Sequence, residues 1–169
     1  VKGSKVIVIR ATFTSERSVD QSINNLLIPT RPEKEECKLI PDNALSYMTG
    51  KVGLYLDNAT AKRLFNNVKE YLPPVQVAEL LAITRVVGMK CPGMNSVFSG
   101  MSLKFSVQLN RMSELEIHAS GFDERFSMVS LNIAGPSVTG KLSVFNRPSP
   151  KVQPSYMELQ VYVTKGEFV

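Results

Sequence analysis

The side chains of this sequence that could do acid–base chemistry are few and far apart. Glu79 is the only acidic residue in the otherwise apolar segment 74–88, PVQVAELLAITRVVG. Burial there would raise the pKa of its carboxyl, which makes Glu79 a candidate general acid or base. The alternative is a solvated carboxylate near a helix N-terminus, stabilised by the helix dipole. His118 is the single histidine and a second candidate base, although strand alternation predicts that it is exposed.

The sequence gives little support for a catalytic cysteine or a metal site. Cys37 and Cys91 form no CxxC pair, and no histidine is adjacent to Cys91 in KCPG, which favours a buried structural thiol over a nucleophile. With one histidine, a metal site would need carboxylates alone. The acidic run of Glu33, Glu35 and Glu36 lies between prolines and is typical of a solvated loop. We therefore expect no metal and no cofactor.

Composition places the chain among single-domain globular proteins. It has 169 residues, 43% of them hydrophobic, and a net charge of +5 from scattered Lys and Arg. No basic stripe alternates with aromatics, which argues against nucleic-acid binding. GxSxG, Walker A and GxGxxG motifs are absent, as are a signal peptide and an apolar run long enough to cross a membrane. Reduced thiols then favour the cytoplasm. The chain begins with Val1 rather than Met, so it could be a fragment.

The element that must position the candidate side chains is the segment 74–88. It starts at the Pro73-Pro74 pair, ends at Gly88 and is apolar on every side. A helix of this kind must be buried on all sides. The segment therefore predicts a buried central helix.

The residues before the central helix predict a strand, short helices and an exposed loop. KVIVIRATF (5–13) predicts a strand, 19–27 a short helix and 29–41 an exposed loop. A short helix is expected over 42–49, ended by Thr49-Gly50. A second amphipathic helix should start at its N-cap Asp57. The apolar face of that helix comprises Ala61, Leu64, Phe65, Val68 and Leu72.

From Ser96 onward the apolar residues recur with a period of two, which predicts strands. Turns are expected at Ser120-Gly121, Gly135-Pro136 and Pro148–Pro150, and such short connections favour antiparallel pairing. One buried helix followed by strands predicts an α+β fold in which a curved antiparallel sheet wraps the helix. The predicted inward positions are Val97, Met101, Leu103, Phe105, Val107, Leu109, Leu115, Ile117, Val129, Leu131, Ile133, Val138, Leu142, Val144, Met157, Leu159, Val161 and Val163.

This order resembles the hot-dog fold, and the sequence is similar to the MaoC-like (R)-specific enoyl hydratase and dehydratase family. Three stretches carry the resemblance: KVIVIRATFTSE, TGKVGLYLDNATAKRLF and LLAITRVVGMKCPGMNSVFSGMSLKF. The second matches the family pattern S-G-D-x-N-P-(I/L)-H-x-D in frame. The resemblance covers about 40–147 and implies one hot-dog domain over 1–169. In it, 1–41 supply the opening strand, short helix and loop, and 42–169 the core.

The in-frame match puts unusual residues at the family's catalytic positions. Lys51 stands at the Asp, Gly53 at the Asn and Leu56 at the His, while Gln76 lies near the family's His-Gly, whose backbone N–H binds the thioester carbonyl. Leu56 transfers no proton, and Lys51 could do so only with a strongly lowered pKa. The resemblance therefore implies a degenerate motif. The remaining catalytic candidates are Glu79, Lys51 and His118, and the candidate substrate-binding residues are Tyr55, Leu56, Gly53 and Gln76.

Three functions stay open at this point. The first is an acyl-thioester-handling domain of fatty acid or polyketide metabolism, which binds acyl-CoA or an acyl carrier protein; if active, it would be a hydratase or dehydratase. The second is a non-catalytic homodimeric or scaffold module, a pseudoenzyme that serves a fused or partner short-chain reductase. The tail GKLSVFNRPSP resembles domains fused ahead of such reductases. The third is a β-barrel that binds a small apolar ligand.

Overall fold

The structure is a computed structural model, and it describes residues 28–31, 36–37, 39–65, 72–106 and 112–160. The predicted strand 5–13 and helix 19–27 lie outside the described residues. Within the described part the helices are α1 (Asp42–Leu45), α2 (Asn58–Leu64), α3 (Pro74–Arg85) and α4 (Tyr156–Gln160). The strands are β1 (Thr49–Gly53), β2 (Ser96–Phe105), β3 (Glu114–Asp123), β4 (Met128–Ala134) and β5 (Val138–Asn146).

The five strands form one sheet in the order β1-β3-β4-β5-β2, and every pair is antiparallel. Helix α3 packs inside this sheet, with contacts to β1 and β3. A sheet of this topology around a buried helix is the hot-dog fold, as predicted. Among the described residues the sheet ends in two edge strands, β1 and β2, and does not close into a barrel.

The central helix was predicted from its uniform apolarity, and the structure confirms it. Pro74 occupies its first turn, where the missing N–H costs nothing. Beyond Arg85 the chain continues as a π-helical segment, Val86–Lys90, so the helical stretch passes the predicted end at Gly88. The buried members of this stretch are Val75, Gln76, Val77, Ala78, Glu79, Ala82, Ile83, Val86 and Val87.

Helix α2 begins where predicted. The Asp57 side chain accepts hydrogen bonds from the backbone N–H groups of Ala59 and Thr60, which satisfies two otherwise free donors. Its predicted apolar face is only partly covered, because Leu64 is 63% exposed and Phe65 lies at the surface. Ala61 and Leu72 do pack against the core, and Val68 lies outside the described residues.

Two predicted boundaries are wrong because strand pairing overrides local turn signals. Thr49-Gly50 does not end a helix: α1 stops at Leu45, and Thr49 starts β1 opposite His118. Ser120-Gly121 is not a turn, since β3 runs through it with a bulge between Ala119 and Gly121. The Gly135-Pro136 turn is confirmed between β4 and β5.

A second bulge corrects the inward face of β2. The register shifts between Phe98 and Gly100, so Phe98 pairs with the buried Val144 while Val97 pairs with the exposed Phe145. Val97 therefore points outward, contrary to the simple alternation. After the bulge Leu103 and Phe105 pack against the core as predicted, whereas Met101, also predicted to face inward, is 54% exposed. The predicted inward residues of β3, β4 and β5 are all buried: Leu115, Ile117, Val129, Leu131, Ile133, Val138, Leu142 and Val144.

The predicted last strand is also wrong within the described residues. The chain leaves the sheet after Asn146, and Tyr156–Gln160 form the exposed helix α4. A capping box explains this start: Ser155 Oγ accepts from the Glu158 N–H, and Glu158 Oε2 accepts from the Ser155 N–H.

Candidate functional site

The segment that resembles the hydratase motif runs from β1 into α2. Lys51 and Gly53 belong to β1, Leu56 lies in the connection, and Asp57 caps α2. Alternation along β1 and the connection directs Val52, Leu54 and Leu56 into the core, where they are at most 4% exposed. The motif positions thus divide between the solvent face and the core.

Lys51 lies on the solvent face of the sheet and is paired. Its Nζ lies 2.8 Å from Glu116 Oε1, directly across from it on β3. The hydrogen bond and charge of Glu116 raise the pKa of the Lys51 ammonium above its ordinary value. A general base at neutral pH needs the opposite shift. Glu116 was not predicted as a partner, because the sequence does not give the register of β1 against β3.

Gly53 and Tyr55 meet Arg85, which sequence reasoning missed as a contact residue. Arg85 Nη1 donates a 3.0 Å hydrogen bond to the Gly53 carbonyl, and its guanidinium lies 4.8 Å from the centroid of the Tyr55 ring. A Cβ at Gly53 would lie 3.0 Å from the Tyr55 hydroxyl, so glycine leaves room for this ring. Two contacts of Arg85 therefore tie the end of α3 to β1 and to the residues that follow it.

Glu79 is fully buried, so the expectation of a solvated carboxylate is wrong. Its Oε1 accepts hydrogen bonds from the backbone N–H groups of Ser137 (2.7 Å) and Val138 (3.0 Å), and its Oε2 accepts from the Ser137 hydroxyl. A Cβ at Gly135 would lie 2.6 Å from Oε1, so only glycine leaves room for the carboxylate. The helix-borne acid is thus held by the β4–β5 turn.

His118 is exposed on β3, as its alternation predicted. It lines an open cleft of about 450 Å³ on the outer face of the sheet, together with Lys51 and Glu116. The other lining residues are Thr49, Gly50, Ile117, Asn132, Ile133 and Ala134. The fold therefore brings two candidate catalytic residues, Lys51 and His118, to one cleft.

Glu79 and the remaining candidates lie elsewhere. Glu79 is on the inner side of the sheet, under Gly135, while the cleft is on the outer side. Gln76 is 8% exposed near the start of α3, and Leu56 is 4% exposed in the core. The catalytic candidates predicted from the sequence therefore do not form one cluster.

The cysteine prediction agrees with the structure. Cys91 is buried, and its burial raises the pKa of the thiol to about 11, so it is a poor nucleophile at neutral pH. Cys37 is exposed and free. No group of three or more His, Cys, Asp or Glu side chains able to hold a metal occurs in the described part. Within the same residues, no helix has the length and apolarity needed to cross a membrane.

Comparison with known proteins finds likeness in structure only. No protein-family model matches the chain, and no curated protein matches its sequence. The (R)-hydratase from A. caviae involved in PHA biosynthesis is similar in structure, with a TM-score of 0.40 and 19% identity over 60% of this chain and 92% of that one. R-hydratase PhaJ1 from Pseudomonas aeruginosa, in the unliganded form, has a TM-score of 0.34 and 14% identity over 64% of this chain and 89% of that one. Both TM-scores are low, and the fold assignment rests on the topology of the sheet around α3.

Proposed function

We propose that this chain is an acyl-thioester-binding hot-dog domain in which the acid–base pair of the hydratases is absent. Its ligand would be an acyl group on coenzyme A or on an acyl carrier protein. Two features support the proposal: the resemblance of the segment 49–65 to the hydratase motif, and the contact of its strand, β1, with the buried helix α3.

The observation that carries the proposal is the state of Lys51 and Leu56. Lys51 is held as an ammonium ion by Glu116, which is the wrong protonation state for removing a proton. Leu56 is buried and has no proton to give. The one carboxylate of α3, Glu79, already accepts three hydrogen bonds and has no exposed surface. Binding without hydration is the function that these positions favour.

The test is to measure binding and turnover of crotonyl-CoA with the same protein. Calorimetric titration should give saturable binding, weaker for Gln76→Ala and Tyr55→Phe and unchanged for the exposed control Lys62→Ala. Loss of the enoyl-thioester absorbance should not occur. Turnover that disappears in Glu79→Gln would instead make the chain a hydratase with a relocated acid. Absence of binding to both crotonyl-CoA and a crotonyl carrier protein would overturn the proposal.

A second candidate function, a homodimeric scaffold module, is favoured by strand β2. This ten-residue strand lies at the edge of the sheet, and only its β5 side is paired among the described residues. It exposes Val97 (41%) and Met101 (54%). A long edge strand with apolar side chains is a surface on which a second sheet can pair. A fused or partner short-chain reductase remains a prediction from the resemblance.

Sedimentation equilibrium tests the scaffold function. The unmodified chain should be a dimer, and Val97→Lys combined with Met101→Lys should shift it to a monomer, because lysine on an edge strand opposes pairing. Leu64→Lys is the control, since Leu64 is also an exposed apolar residue (63%) but lies on α2. A monomeric unmodified chain, or a dimer unaffected by the edge variant, would rule out this interface.

A further inference from the structure

The outer face of the sheet carries a transverse row of polar side chains. Thr49 pairs with His118, His118 with Asn132, and Asn132 with Lys141, each in register on the next strand. Residues paired in this way point to the same face and lie about 5 Å apart. The row therefore presents a hydroxyl, an imidazole, an amide and an ammonium side by side across β1, β3, β4 and β5.

Three of the four side chains, those of Thr49, His118 and Asn132, line the open cleft of about 450 Å³. Lys141 stands next to Asn132 at the margin of the cleft. Within the described residues, none of the four side chains makes a hydrogen bond or an ion pair. Their donors are thus available to a ligand.

The charges around the row favour an anion. The carboxylate next to the row, Glu116, is already neutralised by Lys51 at 2.8 Å, and Glu114, further along the same face of β3, does not line the cleft. Lys104 lies on the same face, on β2, and is exposed. The row itself contains no acidic residue. Hydrogen bonds from such donors to an ionised oxygen are stronger than those to a neutral one.

We propose that this cleft binds a small anionic group, a phosphate or a carboxylate, through His118, Asn132, Thr49 and Lys141. The site lies on the opposite side of the sheet from α3 and does not depend on the proposed acyl-thioester function. The shared chemistry is an oxyanion with several acceptor oxygens. Which of the two anions is preferred is an outcome of the test.

The experiment is an amide-resonance titration of the whole chain at constant ionic strength, with inorganic phosphate, with acetate, and with sodium chloride as the screening control. We expect saturable shifts confined to the lining residues of β1, β3 and β4 and to the neighbourhood of Lys141 on β5. Saturation by phosphate alone assigns a phosphate site, and saturation by acetate assigns a carboxylate site. Shifts that stay linear, or that sodium chloride reproduces, overturn the proposal.

Two exposed side chains give the matched variants. Lys141→Gln should weaken anion binding by about two- to fivefold, the range for exposed ion pairs. His118→Ala, which removes a hydrogen-bond donor, should also weaken it by about two- to fivefold. The control Lys62→Gln removes an exposed charge on α2 and should leave the affinity unchanged. Equal weakening by Lys141→Gln and Lys62→Gln would mean that net charge alone attracts the anion, and the proposed site would be wrong. Amide dispersion in each spectrum checks that the variants remain folded.

Discussion

At the scale of single residues, the protonation state of Lys51 is the main constraint on chemistry. The resemblance to hydratases places Lys51 at an acid–base position, and the structure pairs it with Glu116 at 2.8 Å. An ammonium ion stabilised by a carboxylate gives up its proton less readily, so its pKa rises. Lys51 is therefore suited to an ion pair across two strands and not to general-base catalysis.

Restoring the motif residues should not restore hydration. Lys51→Asp would place a second carboxylate directly opposite Glu116, where like charges repel. Leu56→His would put a polar ring at a position that is 4% exposed, within the apolar core. We expect the double variant to be less stable and to leave crotonyl-CoA unhydrated, as followed by enoyl-thioester absorbance. Measurable turnover by a folded double variant would contradict this.

Glu79 should matter for stability more than any exposed acid. Glu79→Ala leaves the N–H groups of Ser137 and Val138 buried without an acceptor, and each such loss costs about 1–3 kcal/mol. Ser137→Ala removes only the hydroxyl donor and should cost about 1 kcal/mol. Urea unfolding measures both. The exposed control Glu124→Ala should change the free energy of unfolding by less than about 0.5 kcal/mol. If Glu79→Ala lowered the free energy of unfolding by no more than this control, Glu79 would not anchor the β4–β5 turn.

At the scale of elements, Arg85 links α3 to β1. It donates to the Gly53 carbonyl and covers the Tyr55 ring, so it joins the end of the central helix to the motif-bearing strand. The planar guanidinium performs both tasks at once, which a lysine ammonium does not. The position of the motif segment therefore depends on a residue outside the motif.

Removing this link should loosen β1 from α3. Arg85→Ala is expected to cost about 2–3 kcal/mol, because a hydrogen bond from a charged donor and a cation–π contact are both lost. Tyr55→Phe keeps the ring and should be close to neutral. Hydrogen exchange of the β1 amides, with thermal unfolding, measures the effect. Faster exchange confined to elements other than β1 would show that Arg85 does not act as this link.

At the scale of the whole molecule, stability should be highest between about pH 5 and pH 9. Hydrogen bonds from Thr60, Arg125 and Ser155 lower the pKa of Asp57, Asp123 and Glu158, respectively. A carboxyl group whose pKa is lower in the folded than in the unfolded chain stabilises the fold at pH values above its unfolded pKa. This stabilisation is lost as the pH falls through its folded pKa. The acid limb should therefore appear below about pH 5.

The alkaline limb has a different origin. Burial raises the pKa of Cys91 from 9.0 to about 11, so the unfolded chain loses this proton first and stability falls as the pH rises through that interval. Thermal unfolding as a function of pH measures both limbs. Asp57→Asn should flatten the acid limb and Cys91→Ala the alkaline limb. A Cys91→Ala profile that matches the unmodified one above pH 9 would exclude the thiol as the cause.

The sequence by itself determined the core of this protein. Uniform apolarity of 74–88 specified a helix that must be buried, and the period of two after Ser96 specified which residues of β3, β4 and β5 face it. These patterns are local and repeat at a fixed spacing, so they can be recognised without knowing which segments pack together in the fold. The cap at Asp57 and the turn at Gly135-Pro136 were readable for the same reason.

Only the tertiary structure decided the pairings between distant segments. The β1–β3 register paired Lys51 with Glu116 and placed Lys51 near His118. The β4–β5 turn supplies the donors that make Glu79, a candidate acid in the sequence, a buried hydrogen-bond acceptor. The bulge in β2 reversed the side on which Val97 lies. Register, bulges and burial depend on which strands meet, and a slip of one residue exchanges the two faces of a strand. The sequence therefore predicted which residues are candidates for the site, and it did not predict how they are arranged.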